Sequence, residues 1–158
     1  MSAPDVGDET FNVVIPTPVQ VEVNKLAGKR AGYGEVRRQL GSDPCAASLG
    51  AYRLSGPLEP IVCGMHLKRG YRLAFTTQPP LVSDEDPRTV VVVLYVGKRE
   101  PGHRTDTDMW DVLHDLFGVD NPPTGHDKPA CCESSIPSIA DAELDDFLRT
   151  LRRVQRGR

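Results

Sequence analysis

The chain has 158 residues, of which 39% are hydrophobic and 26% are charged, and its formal net charge is −3. This length and composition are typical of one globular domain with its own core. Because nucleic-acid binders usually carry a net basic surface, the negative charge restricts any such binding to a local basic patch. No apolar run approaches the roughly 20 residues that cross a bilayer, and no membrane partner is predicted. The longest run, residues 90–96, has the length of a strand.

The N-terminus and the cysteines are interpreted as those of a cytoplasmic protein. Residues 1–10 are polar and acidic and lack the basic and apolar regions of a signal peptide, so they are predicted to be a flexible leader. In a cytoplasmic chain of this size we expect reduced cysteines rather than a disulfide framework, with Cys63 pointing into the core. The pair Cys131-Cys132, even with His126, fits no standard zinc spacing. The sequence therefore predicts no metal and no cofactor.

The first sixty residues predict one short strand and two helices. Residues 11–15 form a short β-run that a proline stops. A helix is predicted from Pro18 to Leu26, since proline is tolerated in the first turn of a helix. A second helix is predicted over residues 33–40, with a glycine at its end. Residues 43–60 are interpreted mostly as loop.

Three strands are predicted in the middle of the chain, over residues 61–68, 72–77 and 89–98. The first two form a hairpin around Gly70, with alternate residues facing the core. This hairpin is expected to gather His66, Lys68 and Arg72 on its opposite, polar face. The third strand is apolar on both sides, which predicts a position inside the sheet.

The C-terminal part predicts two more helices. An apolar stripe at helical spacing indicates a helix over residues 109–117, capped by one of residues 105–107 and ended by Gly118. A second amphipathic helix is predicted from about residue 139 to residue 154, with Ser138 as its cap. The predicted segments are a leader (1–10), a folded domain (11–118), a Pro/Cys-rich linker (119–138) and a C-terminal helix (139–158). The predicted class is α+β: a small antiparallel sheet with two N-terminal helices packed on it, a helix after the last strand, and the extra C-terminal helix.

Three short motifs resemble the RelE/ParE superfamily of toxins from type II toxin–antitoxin systems, and its RelE-like members in particular. They are Leu54-Ser55-Gly56, Gly70-Tyr71-Arg72-Leu73 and Val96-Gly97-Lys98-Arg99-Glu100. The resemblance covers about residues 11–117 and includes the order of the predicted elements. It implies a metal-independent endoribonuclease that cleaves mRNA on the ribosome. It also implies a cognate antitoxin as partner in a toxin–antitoxin hetero-oligomer.

The resemblance assigns roles to particular residues. Arg72 and Arg99 match the two arginines that contact the scissile phosphate, which guanidinium groups bind in a planar fork. His66 and His103 are expected to share the base and acid duties, and Lys68 to add positive charge. Further predicted RNA contacts are Lys98, Arg69 and Arg104.

Departures from the family pattern leave two alternatives open. RelE-like members carry two lysines, two residues apart, before the Tyr-Arg motif, where this chain has His66 and Lys68. Many also carry a tyrosine or histidine shortly after the second arginine, where this chain offers only His103. The alternatives are a ParE-like inhibitor of DNA gyrase and a non-catalytic interaction protein that keeps the scaffold.

The C-terminal helix has three interpretations. It covers an edge or an apolar face of the sheet, or it occludes the active site as an antitoxin helix does in this family. In the third interpretation its end presents a basic cluster to RNA. The cluster consists of Arg149, Arg152, Arg153, Arg156 and Arg158.

Overall fold

The computed structural model describes residues 10–46, 50–80, 87–99, 108–121, 130–131 and 136–157. Its strands are β1 (Asn12–Val14), β2 (Tyr52–Arg53), β3 (Cys63–His66), β4 (Tyr71–Gln78) and β5 (Val90–Lys98). Its α-helices are α1 (Thr17–Asn24), α2 (Tyr33–Ser42), α3 (Met109–Phe117) and α4 (Asp141–Arg156). The fold is therefore α+β, as the sequence predicts.

The strands form one mixed sheet in the order β1-β5-β4-β3-β2. Strands β2 to β5 pair antiparallel with their neighbours, whereas β1 pairs parallel with β5, with Asn12 opposite Val90. The prediction of an antiparallel sheet is thus wrong for β1. Three successive reversals make β5 antiparallel to β2, and β5 pairs parallel with β1 at the other side of the sheet. Strand patterns in the sequence do not specify this long-range pairing.

Strand β5 is the most buried strand of the sheet, as its apolar run predicts. Residues 90–96 are all buried, and β5 lies between β1 and β4. Helix α1 packs against β5, and α2 packs against β1. The helices contribute Val19, Val23 and Leu40 to the core. A continuous apolar strand is stable only where helices or strands cover both of its faces, and this arrangement provides that cover.

The two faces of the sheet carry different residues. One face carries Met65, Leu73 and Phe75, which are fully buried, as predicted. The other face, named the site face from here on, carries Tyr52, Gly64, His66, Arg72 and Gly97. Both sets follow from the strand registers, because cross-strand partners point to the same side of a sheet.

Helix α3 packs on the site face through its first turn. A Cβ atom on Gly64 would lie 2.6 Å from Cη2 of Trp110, and one on Gly97 would lie 2.9 Å from Cβ of Met109. Only glycine lets the helix approach the sheet this closely at these two positions. The alternation in the sequence predicts a polar side here, whereas Ala74 on this face is fully buried. A second helical layer therefore covers part of the face.

Asp108 and Gly118 mark the two ends of α3. The Asp108 carboxylate caps the helix by accepting hydrogen bonds from the backbone N–H groups of Trp110 (3.1 Å) and Asp111 (3.4 Å). Gly118 ends it in the left-handed conformation, with φ 72°, as predicted. The predicted caps at residues 105–107 lie outside the described residues.

Helix α4 packs against α1 and α3 and completes the second layer. Its Phe147 and Leu151 are buried, and the ring of Phe147 lies 4.5 Å from that of Phe117 in α3. The helix begins at Asp141, and Ser138 is not its cap, since the capping position is occupied by Ala140. The predicted amphipathic helix is thus confirmed with a later start. No helix in the described ranges is long and apolar enough to cross a membrane.

A disulfide attaches the chain before α4 to the sheet. Cys131 is bonded to Cys63 of β3, with their Cα atoms 5.7 Å apart, and the neighbouring Ala130 forms a β-bridge with Tyr52. Cys45 is also disulfide-bonded, and its partner lies outside the described residues. The expectation of reduced cysteines is therefore wrong, because it considered the compartment and not the tertiary contact that brings Cys63 and Cys131 together.

Candidate functional site

The end of the β3–β4 hairpin brings two predicted site residues together. His66 lies opposite Arg72, and Arg72 lies opposite Gly97 of β5. His66 and Arg72 are therefore neighbours on the site face. Arg99 follows Gly97 by two residues, and its backbone N–H donates a 2.9 Å hydrogen bond to the carbonyl of Gly70. This bond holds the end of β5 beside the hairpin.

The turn between β3 and β4 directs Lys68 away from this pair. Residues Lys68–Gly70 form a 3-10 turn in which Arg69 and Gly70 have φ values of 60° and 81°. Glycine adopts this conformation freely, and the exposed Arg69 adopts it at some cost. The backbone N–H of Lys68 donates to the carbonyl of Ala31 (2.7 Å), and its aliphatic chain lies along Gly32. Lys68 is thus seated on the connection between α1 and α2.

Tyr52 of β2 joins the site, although the sequence did not indicate it. Its ring centroid lies 5.7 Å from that of His66 and 6.1 Å from that of Trp110. Burial raises the pKa of Tyr52, while the positive charges of Arg72 and Arg99 lower it, with a smaller lowering from side-chain hydrogen bonding with Arg72. Both guanidinium groups therefore lie within electrostatic range of the same hydroxyl group.

Asp108 adds a negative charge to the surroundings of this hydroxyl group. Its charge acts with burial to raise the pKa of Tyr52. The Asp108 side chain is only 7% exposed and is held by its capping hydrogen bonds at the start of α3. The site therefore combines two cationic groups, one imidazole and one fixed carboxylate.

The guanidinium group of Arg72 is only partly satisfied. One of its terminal nitrogens, Nη1, donates a 2.9 Å hydrogen bond to the carbonyl of Tyr71. Its Nε is buried and has no hydrogen-bond partner in the part of the chain that the structure describes. A buried N–H group without an acceptor typically costs about 1–3 kcal/mol. An oxygen of a bound anion would supply the acceptor.

The remaining predicted residues are less closely grouped. Lys98 is exposed at the end of β5, opposite Tyr71, and Arg69 is exposed in the turn. His103 and Arg104 lie outside the described residues. Within the described ranges, no group of three or more His, Cys, Asp or Glu side chains is arranged to hold a metal ion.

Sequence reasoning missed Tyr52 and Asp108 for different reasons. Strand β2 has two residues, which is too short to show an alternation in the sequence. Asp108 stands next to the predicted caps, and the cap preference of aspartate was the available signal. Trp110 packs α3 on the sheet so closely that a Cβ atom on Gly64 would lie 2.6 Å from its ring.

This arrangement suits the binding of an oxyanion with a proton-transfer group beside it. Arg72 and Arg99 supply fixed positive charge, and His66 supplies an imidazole, which can accept or donate a proton. The paired strands β3 and β4 hold His66 and Arg72, and Arg99 follows the end of β5, where its backbone N–H bonds to the carbonyl of Gly70. No protein-family model, no curated protein and no solved structure matches this chain.

Proposed function

We propose that this protein is a RelE-like toxin of a type II toxin–antitoxin system, an endoribonuclease that cleaves mRNA on the ribosome without a metal ion. The observation that carries the proposal is the pairing of His66 with Arg72, with Arg99 acting on the same tyrosine hydroxyl as Arg72. The order of elements also supports the proposal, since two helices lie between β1 and an antiparallel set of strands.

The proposed reaction is a transfer within the RNA backbone. His66 accepts the proton of the 2′-hydroxyl, whose oxygen forms a new bond to the adjacent phosphorus while the bond to the 5′-oxygen breaks. Arg72 and Arg99 stabilise the added negative charge on the phosphate oxygens, an effect typically worth about 10²- to 10³-fold per group. His103 donates a proton to the leaving 5′-oxygen. The products carry a 2′,3′-cyclic phosphate and a 5′-hydroxyl.

The partners under this proposal are mRNA, the ribosome and a cognate antitoxin that forms a hetero-oligomer with the toxin. Lys98, Arg69 and Arg104 contribute further contacts to RNA. The site of action is the cytoplasm, where thiol systems keep most disulfides reduced. The proposal therefore requires that activity persists in a reducing buffer, with the disulfide between Cys63 and Cys131 open.

A non-catalytic interaction protein is the second candidate, and the covering of the site favours it. Arg72 is half-buried, and Tyr52 and Trp110 occupy the adjoining part of the site face. A nucleotide would need part of that space. A ParE-like gyrase inhibitor, which keeps the scaffold without cleaving RNA, is the corresponding alternative within the superfamily.

Inducible expression in bacteria tests the proposal. Cells express the wild type, Arg72→Ala, Arg99→Ala or the double variant, and growth and the 5′ ends of mRNA are recorded. Arg38→Ala is the matched control, because Arg38 is an exposed arginine of α2 away from the site. The proposal expects growth arrest with new 5′-hydroxyl ends for the wild type and the control, and neither for the double variant.

Other outcomes point to the alternatives. Arrest without new RNA ends, but with broken DNA, indicates a gyrase inhibitor. Absence of arrest, in cells where Western blotting shows the full-length protein, contradicts a toxin and supports a non-catalytic role.

A further inference from the structure

Helix α4 has a strongly polarised distribution of charge. Its first six residues include four acids, Asp141, Glu143, Asp145 and Asp146. Four arginines follow within its last eight residues, and all are exposed: Arg149, Arg152, Arg153 and Arg156, named the arginine face from here on. No acidic residue occurs from position 147 to the end of the chain.

The packing of α4 holds the arginine face toward solvent. Phe147 and Leu151 are buried on the opposite side of the helix. Near the C-terminal end, the side-chain amide of Gln155 donates hydrogen bonds to the carbonyl of Pro18 (2.8 Å) and to Oε2 of Glu22 (2.7 Å). With the helix fixed at these points, the arginines lie along one outer stripe at spacings of three and four residues.

Stabilisation of the helix explains only part of this pattern. Positive charge near a helix C-terminus is favourable, but the effect falls off within the last turn and does not reach Arg149 or Arg152. Arg149 pairs with Asp146 at 3.0 Å, in an exposed contact of little energetic weight. Like charges four residues apart, such as Arg152 and Arg156, oppose each other and destabilise a helix.

The arginine face belongs to the layer that covers the site face. The side chain of Gln78, on the site face, donates a 2.9 Å hydrogen bond to Asp141 at the start of α4. Tyr95, which lies opposite Ala74 on the same face, donates to Glu22, which in turn binds Gln155 near the end of α4. The helix thus crosses the same side of the sheet that carries Arg72 and His66.

We propose that the arginine face binds phosphates of single-stranded substrate RNA, and this inference rests on the proposed ribonuclease function. Guanidinium groups match phosphate oxygens in geometry and stay charged at all physiological pH values. In a protein with net charge −3, a local cluster of this kind supplies the positive field that RNA binding needs.

Salt-dependent binding tests the proposal in the full-length, cleavage-inactive variant Arg72→Ala/Arg99→Ala. The test variant adds Arg152→Gln, Arg153→Gln and Arg156→Gln. The matched control instead adds Lys29→Gln, Arg30→Gln and Arg38→Gln, which removes the same charge from exposed positions on α2 and its preceding connection. The probes are a fluorescent single-stranded RNA and an RNA duplex of equal length.

We expect the test variant to bind about tenfold more weakly at low salt. Loss of three phosphate contacts should also make the slope of log K against log salt shallower by about 2, since each contact contributes about 0.7. The control should change both quantities far less. We expect the larger loss on the single strand, and a larger loss on the duplex would overturn the assignment to substrate RNA.

Equal losses in test and control variants would overturn the proposal, since they would reflect net charge alone. Unchanged RNA binding in both would also overturn it, and loss of antitoxin binding in the test variant would then assign the face to a protein. Circular dichroism before each titration confirms that α4 remains folded. The outcome is separable from that of the expression experiment, because binding is measured without cleavage.

Discussion

The site face and the arginine face both carry arginines, but their guanidinium groups differ in burial and in hydrogen bonding. Arg72 is half-buried, donates to a backbone carbonyl and lies in electrostatic range of Tyr52. Arg152 and Arg153 are exposed on a helix and make no ion pair with any described residue. A guanidinium group fixed in this way suits one oriented anion, whereas exposed groups suit a chain of equivalent phosphates. Burial and backbone support, rather than the number of arginines, therefore distinguish the two surfaces.

The largest expected effect comes from removing the covalent link between the chain before α4 and the sheet. The disulfide between Cys63 and Cys131 closes a loop with a sequence separation of 68. Chain-entropy arguments assign about 4 kcal/mol to a loop of this length. We expect Cys63→Ala/Cys131→Ala to lower the free energy of unfolding by about that amount in urea titrations without reductant. In a reducing buffer the difference from the wild type should shrink, and an undiminished difference would assign the effect to packing.

The next largest effect separates fixed from exposed arginines directly. Arg72→Lys keeps the charge but loses the planar fork and the bond to the carbonyl of Tyr71. We expect cleavage of ribosome-bound mRNA to fall about 10²- to 10³-fold, as for loss of one group that stabilises transition-state charge. Primer extension on purified translating ribosomes measures this rate. Near-wild-type cleavage by the lysine variant would show that positive charge is sufficient at position 72 and that a fixed guanidinium group is not required.

A smaller loss is expected where α3 contacts the sheet beside the site. In Gly64→Ala the new methyl group would meet the ring of Trp110 at 2.6 Å, so the helix or the ring must shift. Overpacking of this kind typically costs about 1–3 kcal/mol, measurable as a lower melting temperature. Gly34→Ala in α2 is the control, since a methyl group there meets nothing within 4 Å. Equal melting temperatures for the two variants would contradict the close packing of α3.

The pKa of Tyr52 responds to the fixed charges around it, and the shift expected from removing one of them is modest. Arg72 lowers the pKa of Tyr52 against the effect of burial. Arg72→Leu removes that lowering, so the pKa should rise and tyrosinate should form at higher pH. Alkaline absorbance titration of Arg72→Leu, compared with Arg72→Leu/Tyr52→Phe, isolates this one tyrosine from the others. A pKa that stays the same or falls would show that the guanidinium does not act on this hydroxyl group.

The smallest effect is expected for lysine on the arginine face. Exposed lysines keep the charge and reach phosphates as point charges. The change of Arg152, Arg153 and Arg156 together to lysine should alter RNA affinity by no more than about threefold in the binding assay. A loss as large as that for the glutamine variant would indicate oriented guanidinium contacts, and hence a second site of fixed geometry.

Part of the fold and of the candidate site was predictable from local patterns. The apolar run of β5 predicted a central strand, the stripe of α3 predicted a helix ended by Gly118, and both are present. The hairpin around Gly70 predicted that His66 and Arg72 share a face, and the strand register places them opposite each other. These predictions depend on periods of 2 and 3.6 residues, which backbone geometry imposes on any strand or helix.

Tertiary contacts decided what those periods leave open. The parallel pairing of β1 with β5, the disulfide from Cys63 to Cys131 and the inclusion of Tyr52 in the site join residues far apart in the chain. Local patterns identify the face that a residue occupies, but not which distant segment packs against that face. The sequence by itself therefore determined the helices and the longer strands, but not β2, which lies in the stretch interpreted mostly as loop. Only packing determined that α3 and α4 cover the same side of the sheet. Gly64 and Gly97 leave the space that α3 occupies, but the sequence does not show which segment fills that space.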